Sequence, residues 1–126
     1  MKREIKFKAK RLDGKGWVEG SLIRSTTGIK ERAYIVDNFS SMSDYSVIGV
    51  DPSTVCQFTE LKDEKGNEVW EGDIIKSPYF VNLAIVKWDD SLCGFKCVGV
   101  TDNIHYSLSS LVAFSRWYVV GNKFDK

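Results

Sequence analysis

Three side chains of this sequence are candidates for acid–base catalysis: Glu71, Asp73 and His105. Glu71 and Asp73 are two residues apart, so in a strand they would share one face, as the paired carboxylates of a glycosidase or a metal site do. His105 is the single histidine, and no recognised motif places a serine or cysteine nucleophile with it. Gly72, between the two carboxylates, favours a turn instead. We therefore expect no enzymatic activity, with a hydrolase built on Glu71, Asp73 and His105 as an alternative.

The cysteines and glycines do not indicate a metal or nucleotide site. Cys93 and Cys97 are separated by three residues rather than two, and no second pair or nearby histidine completes four ligands, so a zinc site is not expected. With Cys56 the cysteines are odd in number, and we expect all three to be small buried apolar residues. Residues 14–16 (Gly-Lys-Gly) lack the third glycine and the helix of a nucleotide-binding turn. No metal and no cofactor are expected.

The charge of the chain is balanced in total but unevenly distributed. Eighteen Lys and Arg against seventeen Asp and Glu give a net charge of +1, which is too balanced for a protein whose whole surface binds nucleic acid. Residues 1–30, however, carry nine basic and three acidic side chains. A basic strip here could bind phosphates, or residues 31–126 of a second copy, which are acidic overall. The simpler interpretation is a strand face that is exposed to solvent.

The candidate binding surface combines this basic strip with the turn around Gly72. Aromatic rings interleaved with lysines suit single-stranded nucleic acid, which makes nucleic-acid binding an alternative to protein binding. Trp17, Trp88 and Trp117 lie in strand patterns and are expected in the core. Trp70, beside the turn, is expected to be partly exposed. The predicted surface consists of Lys6, Lys8, Lys10, Arg11, Lys15, Trp70, Glu71 and Asp73.

Short strands are predicted to position these groups. In residues 4–10, apolar side chains alternate with Glu and Lys, and the Asp-Gly pair at 13–14 predicts a tight turn into a return strand over 17–23. Further strands are predicted over residues 33–36, 47–50, 54–59, 74–76, 83–88, 94–100 and 117–121. About nine short strands with hardly any helix predict a mainly β chain folded as an antiparallel barrel or roll.

The length of 126 residues predicts one domain. A polar turn is predicted at 63–67, with Gly66 at positive φ, and a Ser-rich loop at 38–46. One or two helical turns are predicted over 106–114. No apolar run approaches the roughly 20 residues that span a bilayer, and the start Met-Lys-Arg-Glu lacks a secretory apolar stretch, so we expect a cytoplasmic protein without a membrane partner.

Several segments carry a resemblance to a known family. They are residues 3–9 (Arg-Glu-Ile-Lys-Phe-Lys-Ala), residues 16–22 (Gly-Trp-Val-Glu-Gly-Ser-Leu), and above all residues 50–75, from Val-Asp-Pro-Ser-Thr-Val to Trp-Glu-Gly-Asp-Ile-Ile. The later segments 86–90, 94–95 and 119–122 follow in the family's order. The chain resembles the YopX family of bacteriophage and prophage proteins over nearly its whole length. Cys56 and Glu60 stand where the family's usual pattern has glycine.

The resemblance implies a fold and a source rather than an activity. It implies a mainly β fold, Src-homology-3-like in its later part, and a phage or prophage origin in a bacterial cytoplasm. Residues 1–126 would form one YopX-like domain, with 1–66 as a possible β elaboration on a small barrel over 67–124. The family supplies no catalytic residues. We therefore expect a non-enzymatic accessory protein that binds protein and forms a homo-oligomer.

Overall fold

Most of the described chain is β-strand. The computed structural model describes residues 5–25, 30–37, 46–77, 83–101, 104–107 and 116–125. Of these, 62% lie in strands and 3% in a 3-10 helix, Pro52–Thr54, which confirms the predicted mainly β fold. The strands are β1 (Phe7–Lys10), β2 (Trp17–Ser25), β3 (Arg32–Asp37), β4 (Ser46–Val50), β5 (Cys56–Lys62), β6 (Glu68–Trp70), β7 (Asp73–Lys76), β8 (Ala84–Asp89), β9 (Gly94–Gly99), β10 (His105–Ser107) and β11 (Tyr118–Asn122).

The strands form two antiparallel sheets. One has the strand order β4-β3-β2-β1-β5-β6 and the other the order β10-β9-β8-β7-β11. Of the two predicted forms, barrel and roll, the described residues show no closed barrel. In the first sheet, Arg11, just beyond β1, forms a single antiparallel bridge with Val50 of β4. One bridge is far short of the continuous ladder that closes a barrel.

By its internal contacts the chain divides into two compact units, Met1–Phe58 (unit 1) and Thr59–Lys126 (unit 2). The division lies within β5, and the turn at 63–67 belongs to unit 2. The description of the chain as one domain with an N-terminal elaboration stays a prediction.

Unit 1 begins with the predicted hairpin of β1 and β2. The backbone N–H of Lys15 donates to Oδ1 of Asp13 at 3.0 Å, and Gly14 adopts a φ of 79°, a left-handed conformation that glycine reaches without steric cost. This tight turn sets the register in which Ala9 faces Val18. The buried core of unit 1 consists of Ala9, Val18, Ala33, Ile35 and Val50.

Unit 2 has a core of its own, which strands of the second sheet and β6 supply. Its buried members are Val69, Ile75, Ala84, Val86, Cys97 and Trp117. The predicted turn at 63–67 is confirmed, and Gly66 has a φ of 83°. Burial of Trp117 confirms its prediction as a core residue.

The carboxylate of Asp63 is buried in unit 2, with 6% of the residue exposed. Two donors come from its own turn, the backbone N–H groups of Lys65 at 2.9 Å and Asn67 at 2.8 Å. A third is the backbone N–H of Val119 in β11, at 2.9 Å. Asp63 therefore connects the turn at 63–67 to β11 through the hydrogen bond from Val119.

These hydrogen-bond donors favour the ionised form of the Asp63 side chain. Burial raises the pKa of the carboxyl group, but the hydrogen bonds from Val119 and Asn67 outweigh this effect, so the pKa lies below its usual value of 3.8. A carboxyl group whose pKa is lowered by folding stabilises the folded state above its unfolded pKa. This contribution is lost as the pH falls through the lowered pKa.

We predict that Asp63→Asn destabilises the protein and weakens its acid sensitivity. An amide presents an NH₂ group to backbone donors that need an acceptor, and leaving such a group unsatisfied costs about 1–3 kcal/mol. Urea unfolding at pH 7 should show this loss, and the difference from the unsubstituted protein should shrink at pH 3, because the contribution of a lowered pKa declines once the pH falls below the usual value of 3.8. The control is Glu64→Gln, an exposed neighbour in the same turn. A variant that loses stability equally at both pH values would contradict the prediction.

Two predicted segments lie partly outside the described residues. Of the predicted loop at 38–46, only Ser46 is described, as the first residue of β4. Of the predicted helical segment at 106–114, Tyr106 and Ser107 lie in β10, so helix is wrong there because they pair with Cys97 and Lys96 of β9. No helix among the described residues is long and apolar enough to cross a membrane.

Candidate functional site

Three lysines of the predicted basic strip lie on one face of β1 and of the residue that precedes it. Lys6, Lys8 and Lys10 alternate with Phe7 and Ala9, which belong to the core side of unit 1. The structure therefore brings these three predicted site residues together.

Aromatic rings lie beneath all three ammonium groups. Nζ of Lys6 is 4.7 Å from the ring centroid of Phe58. The Nζ atoms of Lys8 and Lys10 are 4.7 and 4.8 Å from the ring centroid of Trp17, which is half-buried. Cation–π attraction thus positions the lysines and places positive charge against the indole ring that would otherwise offer a stacking surface.

The other two basic residues of the strip lie at the end of the hairpin. Arg11 donates two hydrogen bonds to Asp13, at 3.1 Å from Nε and 2.7 Å from Nη2. This fork holds the pKa of the Asp13 carboxyl group below its usual value. Lys15 is exposed in the turn.

The predicted exposure of Trp70 is wrong. Trp70 is 4% exposed at the end of β6, and its backbone N–H donates to Oδ2 of Asp73 at 2.7 Å. The Glu71-Gly72 turn is present as predicted, but it directs Asp73 inward rather than to the surface. A partly exposed aromatic platform is therefore not formed by this residue.

The side chain of Asp73 has a structural role. It is 2% exposed, and besides the bond from Trp70 it accepts a hydrogen bond from Nδ2 of Asn122 at 2.9 Å. The same amide group lies 3.4 Å from the carbonyl oxygen of Glu71. Asp73 and Asn122 thus hold the turn to the end of β11.

His105 lies in β10 beside a lysine rather than a nucleophile. Its Nδ1 is 2.9 Å from Nζ of Lys96, which also forms an ion pair with Asp89 at 2.8 Å. Lys96, together with Ser91, holds the pKa of Asp89 well below its usual range. Because an ammonium group only donates, Nδ1 is the acceptor, which assigns the ring proton of neutral His105 to Nε2. A triad histidine has the opposite tautomer, with Nε2 free to take a proton.

The three residues of the hydrolase alternative do not share one location in the second sheet. Strands β8 and β9 lie between β7, which carries Asp73, and β10, which carries His105. At about 4.8 Å between neighbouring strands, this separates them by about 14 Å along the sheet. Among the described residues, no group of three or more His, Cys, Asp or Glu side chains is placed to hold a metal ion.

Two further predictions of burial are wrong, and both concern the β8–β9 hairpin. Trp88 is 45% exposed near its tip, where its indole N–H donates to Oδ1 of Asp90 at 2.7 Å and its ring meets Phe95 edge-on. Cys93 is exposed in the turn, whereas Cys56 and Cys97 are buried as predicted. The tip extends past the core, so apolar residues there are not covered.

A surface that the sequence analysis did not single out lies on β2, β3 and β4. Ile23 pairs with Tyr34, and Val36 pairs with Val47. Ile23 is 50% exposed and Val47 is 54% exposed. We call these four side chains the outer apolar face.

Alternation explains the position of the outer apolar face. Ala33 and Ile35 of β3 point into the core, so Tyr34 and Val36 must point away from it. The sequence signal was present: residues 33–36 and 47–50 contain no charged residue at the alternate positions, unlike a strand with one wet face. An apolar run of this kind predicts a strand with two apolar faces.

Comparison with known families decides the relationship. The family model described as YopX protein matches residues 6–126. The chain belongs to the YopX family. No curated protein sequence matches it.

The two departures from the YopX pattern occupy different environments. Cys56 is fully buried, and its thiol lies 3.3 Å from the carbonyl oxygen of Thr54. Glu60 has a φ of 70°, which lies in the left-handed region. The glycine that the YopX resemblance implies at this position would fit this backbone conformation, because an L side chain in this region costs roughly 1–2 kcal/mol.

We predict that Glu60→Gly is more stable than Glu60→Ala by about 1 kcal/mol, because both remove the carboxylate and only glycine removes the Cβ strain. The measurement is the urea midpoint of the two variants at pH 7. The same pair of substitutions at Lys62, an exposed residue of the same strand outside the left-handed region, should show alanine as the more stable variant. Equal or higher stability of Glu60→Ala would show that this backbone is not strained.

Proposed function

We propose that this YopX protein is a phage- or prophage-encoded accessory protein of the bacterial cytoplasm that binds protein without catalysis and forms a homo-oligomer. The observation that supports it is the outer apolar face. An exposed, contiguous apolar patch on a strand face is typical of a surface that another protein covers.

The position of this face in its sheet supports self-association. β4 is the last strand of its sheet, and Ser46–Val50 contains no charged residue. Natural edge strands usually carry charges or proline that prevent pairing with another chain. The segment after β1 meets the Gly49–Val50 end of β4, where Arg11 bridges Val50 and the backbone N–H of Leu12 donates to the carbonyl oxygen of Gly49 at 3.1 Å. A second copy that covers Val47 would bury both an apolar side chain and strand edge.

Binding rather than catalysis is supported by the roles of the ionisable groups. Asp73 accepts hydrogen bonds that hold a turn, and Nδ1 of His105 accepts from Lys96. Neither group is arranged as a general base. No observation favours the hydrolase alternative.

We predict that Ile23→Lys combined with Val47→Lys weakens self-association at least tenfold, because two buried ammonium groups at the centre of an apolar interface would lack partners. Sedimentation velocity from 1 to 100 µM protein measures the association. The matched control is Val120→Lys, since Val120 is 48% exposed on β11, outside the face. A protein that stays a strict monomer at both low and moderate salt would remove the homo-oligomer from the proposal.

Nucleic-acid binding is the second candidate, favoured by the common face of Lys6, Lys8 and Lys10. Labelled single- and double-stranded oligonucleotides should then bind with an affinity that falls steeply with salt. Replacing Lys8 and Lys10 by glutamine should reduce the slope of log K against log salt by about 1.4–1.8, since each phosphate contact contributes about 0.7–0.9. Lys87→Gln, at an exposed residue of β8, is the control. Absent or salt-insensitive binding rejects this candidate.

A further inference from the structure

Unit 1 contains a cleft of about 330 Å³ where β3 begins and β4 ends, a volume in the range of small-ligand and peptide side-chain pockets. It lies beside the outer apolar face, with which it shares Tyr34. Its lining combines aliphatic and cationic side chains. The lining residues are Leu12, Lys30, Glu31, Arg32, Ala33, Tyr34, Val50 and Pro52.

One arginine fixes two of the cleft's lining residues relative to each other. Nε of Arg24 forms an ion pair with Glu31 at 3.0 Å, and its Nη2 donates to the carbonyl oxygen of Pro52 at 3.3 Å. The segment at residue 31 is thereby linked to the 3-10 helix. The two segments that line this part of the cleft are therefore joined to each other through Arg24.

The charge at the cleft is positive. Glu31 is neutralised by Arg24, and Asp13 near Leu12 is neutralised by Arg11. Lys30 and Arg32 are exposed lining residues, and neither has an ion pair among the residues that the structure describes. Two cations therefore remain at the rim with no carboxylate paired to them among the described residues.

The walls of the cleft are aliphatic. Leu12 is 71% exposed, although an aliphatic side chain of this size gains roughly 2 kcal/mol on full burial. Its Cδ1 lies over Gly49, 3.5 Å from where a Cβ would stand, so the tip of this exposed side chain is next to the sheet. Ala33 and Val50 are buried beneath the cleft. A ligand that fits must offer an apolar group to these walls and negative charge to the rim.

We propose that this cleft binds a segment of a partner protein in which an aspartate or glutamate stands next to an aliphatic residue. The carboxylate pairs with Lys30 and Arg32, and the aliphatic side chain packs on Leu12 and Pro52. A nucleic-acid strand fits less well, because Tyr34 is the single aromatic residue among the described lining residues, whereas single-strand binders present several stacking rings. Charge complementarity therefore favours an acidic peptide.

The test is a selection of random phage-displayed heptapeptides on the immobilised full chain, followed by fluorescence anisotropy with a labelled copy of the most enriched peptide. Enriched peptides should contain Asp or Glu adjacent to Leu, Ile, Val or Met. In the labelled peptide, Glu→Gln and Leu→Ser should each weaken binding about tenfold, and free acetate and inorganic phosphate at equal concentration should not compete. Competition by either small anion would overturn the peptide as the ligand.

Variants of the protein locate the binding site. Arg32→Glu and Leu12→Ser should each weaken binding about tenfold, while Lys87→Glu, at a similarly exposed lysine of unit 2, should change it less than twofold. If thermal melts show that the Arg32→Glu variant is unfolded, Arg32→Gln replaces it in the binding measurement. In the unsubstituted protein, the peptide should shift the methyl resonances of Leu12 and Val50. No enrichment, enrichment without acidic residues, or shifts confined to Ile23 and Val47 would overturn the proposal.

The inference goes beyond the proposed self-association, and the two can fail separately. A strictly monomeric protein that still selects acidic–aliphatic peptides would support the cleft and overturn the homo-oligomer. An oligomeric protein that shows no peptide preference would support the homo-oligomer and overturn the proposal for the cleft.

Discussion

A carboxylate that leaves water must be surrounded by hydrogen-bond donors, and unit 2 is organised around this requirement. Asp63 and Asp73 are both buried, and each binds one turn of its own chain segment and one residue of β11. Val119 is held near the start of the strand and Asn122 at its end. Because an unpaired charge in the interior is far more costly than a paired one, each carboxylate disfavours alternative positions of β11.

The same arrangement limits what the ionisable groups can do chemically. Asp73 is engaged with Trp70 and Asn122, His105 with Lys96, and the lysines of β1 lie over aromatic rings. The polar groups that looked reactive in the sequence have structural partners. Unit 1 carries the outer apolar face and the cleft, which is why both proposals concern recognition.

Local patterns predicted the parts of the fold that depend on neighbours in sequence. The Asp13-Gly14 turn sets the β1–β2 hairpin, and alternation placed the lysines of β1 on one face. The exposure of Trp70 and Trp88 was predicted wrongly, because it depends on where each residue lies relative to the end of a sheet. The role of Asp63 could not be read from its turn, since its donor Val119 is 56 residues away. The resemblance to the YopX family depended above all on the residue types of segment 50–75. The alternation of apolar and polar residues alone does not reveal it.

The contrast among the cysteines has a practical consequence. Cys56 and Cys97 are buried out of reach of a reagent, and burial also raises the pKa of the Cys97 thiol to about 12. Cys93, exposed at the hairpin tip, is then the one position where a maleimide dye or a spin label would attach without any engineering. In air-oxidised preparations the same atom would also cross-link two molecules covalently, so a reductant is needed wherever molecular mass is the readout.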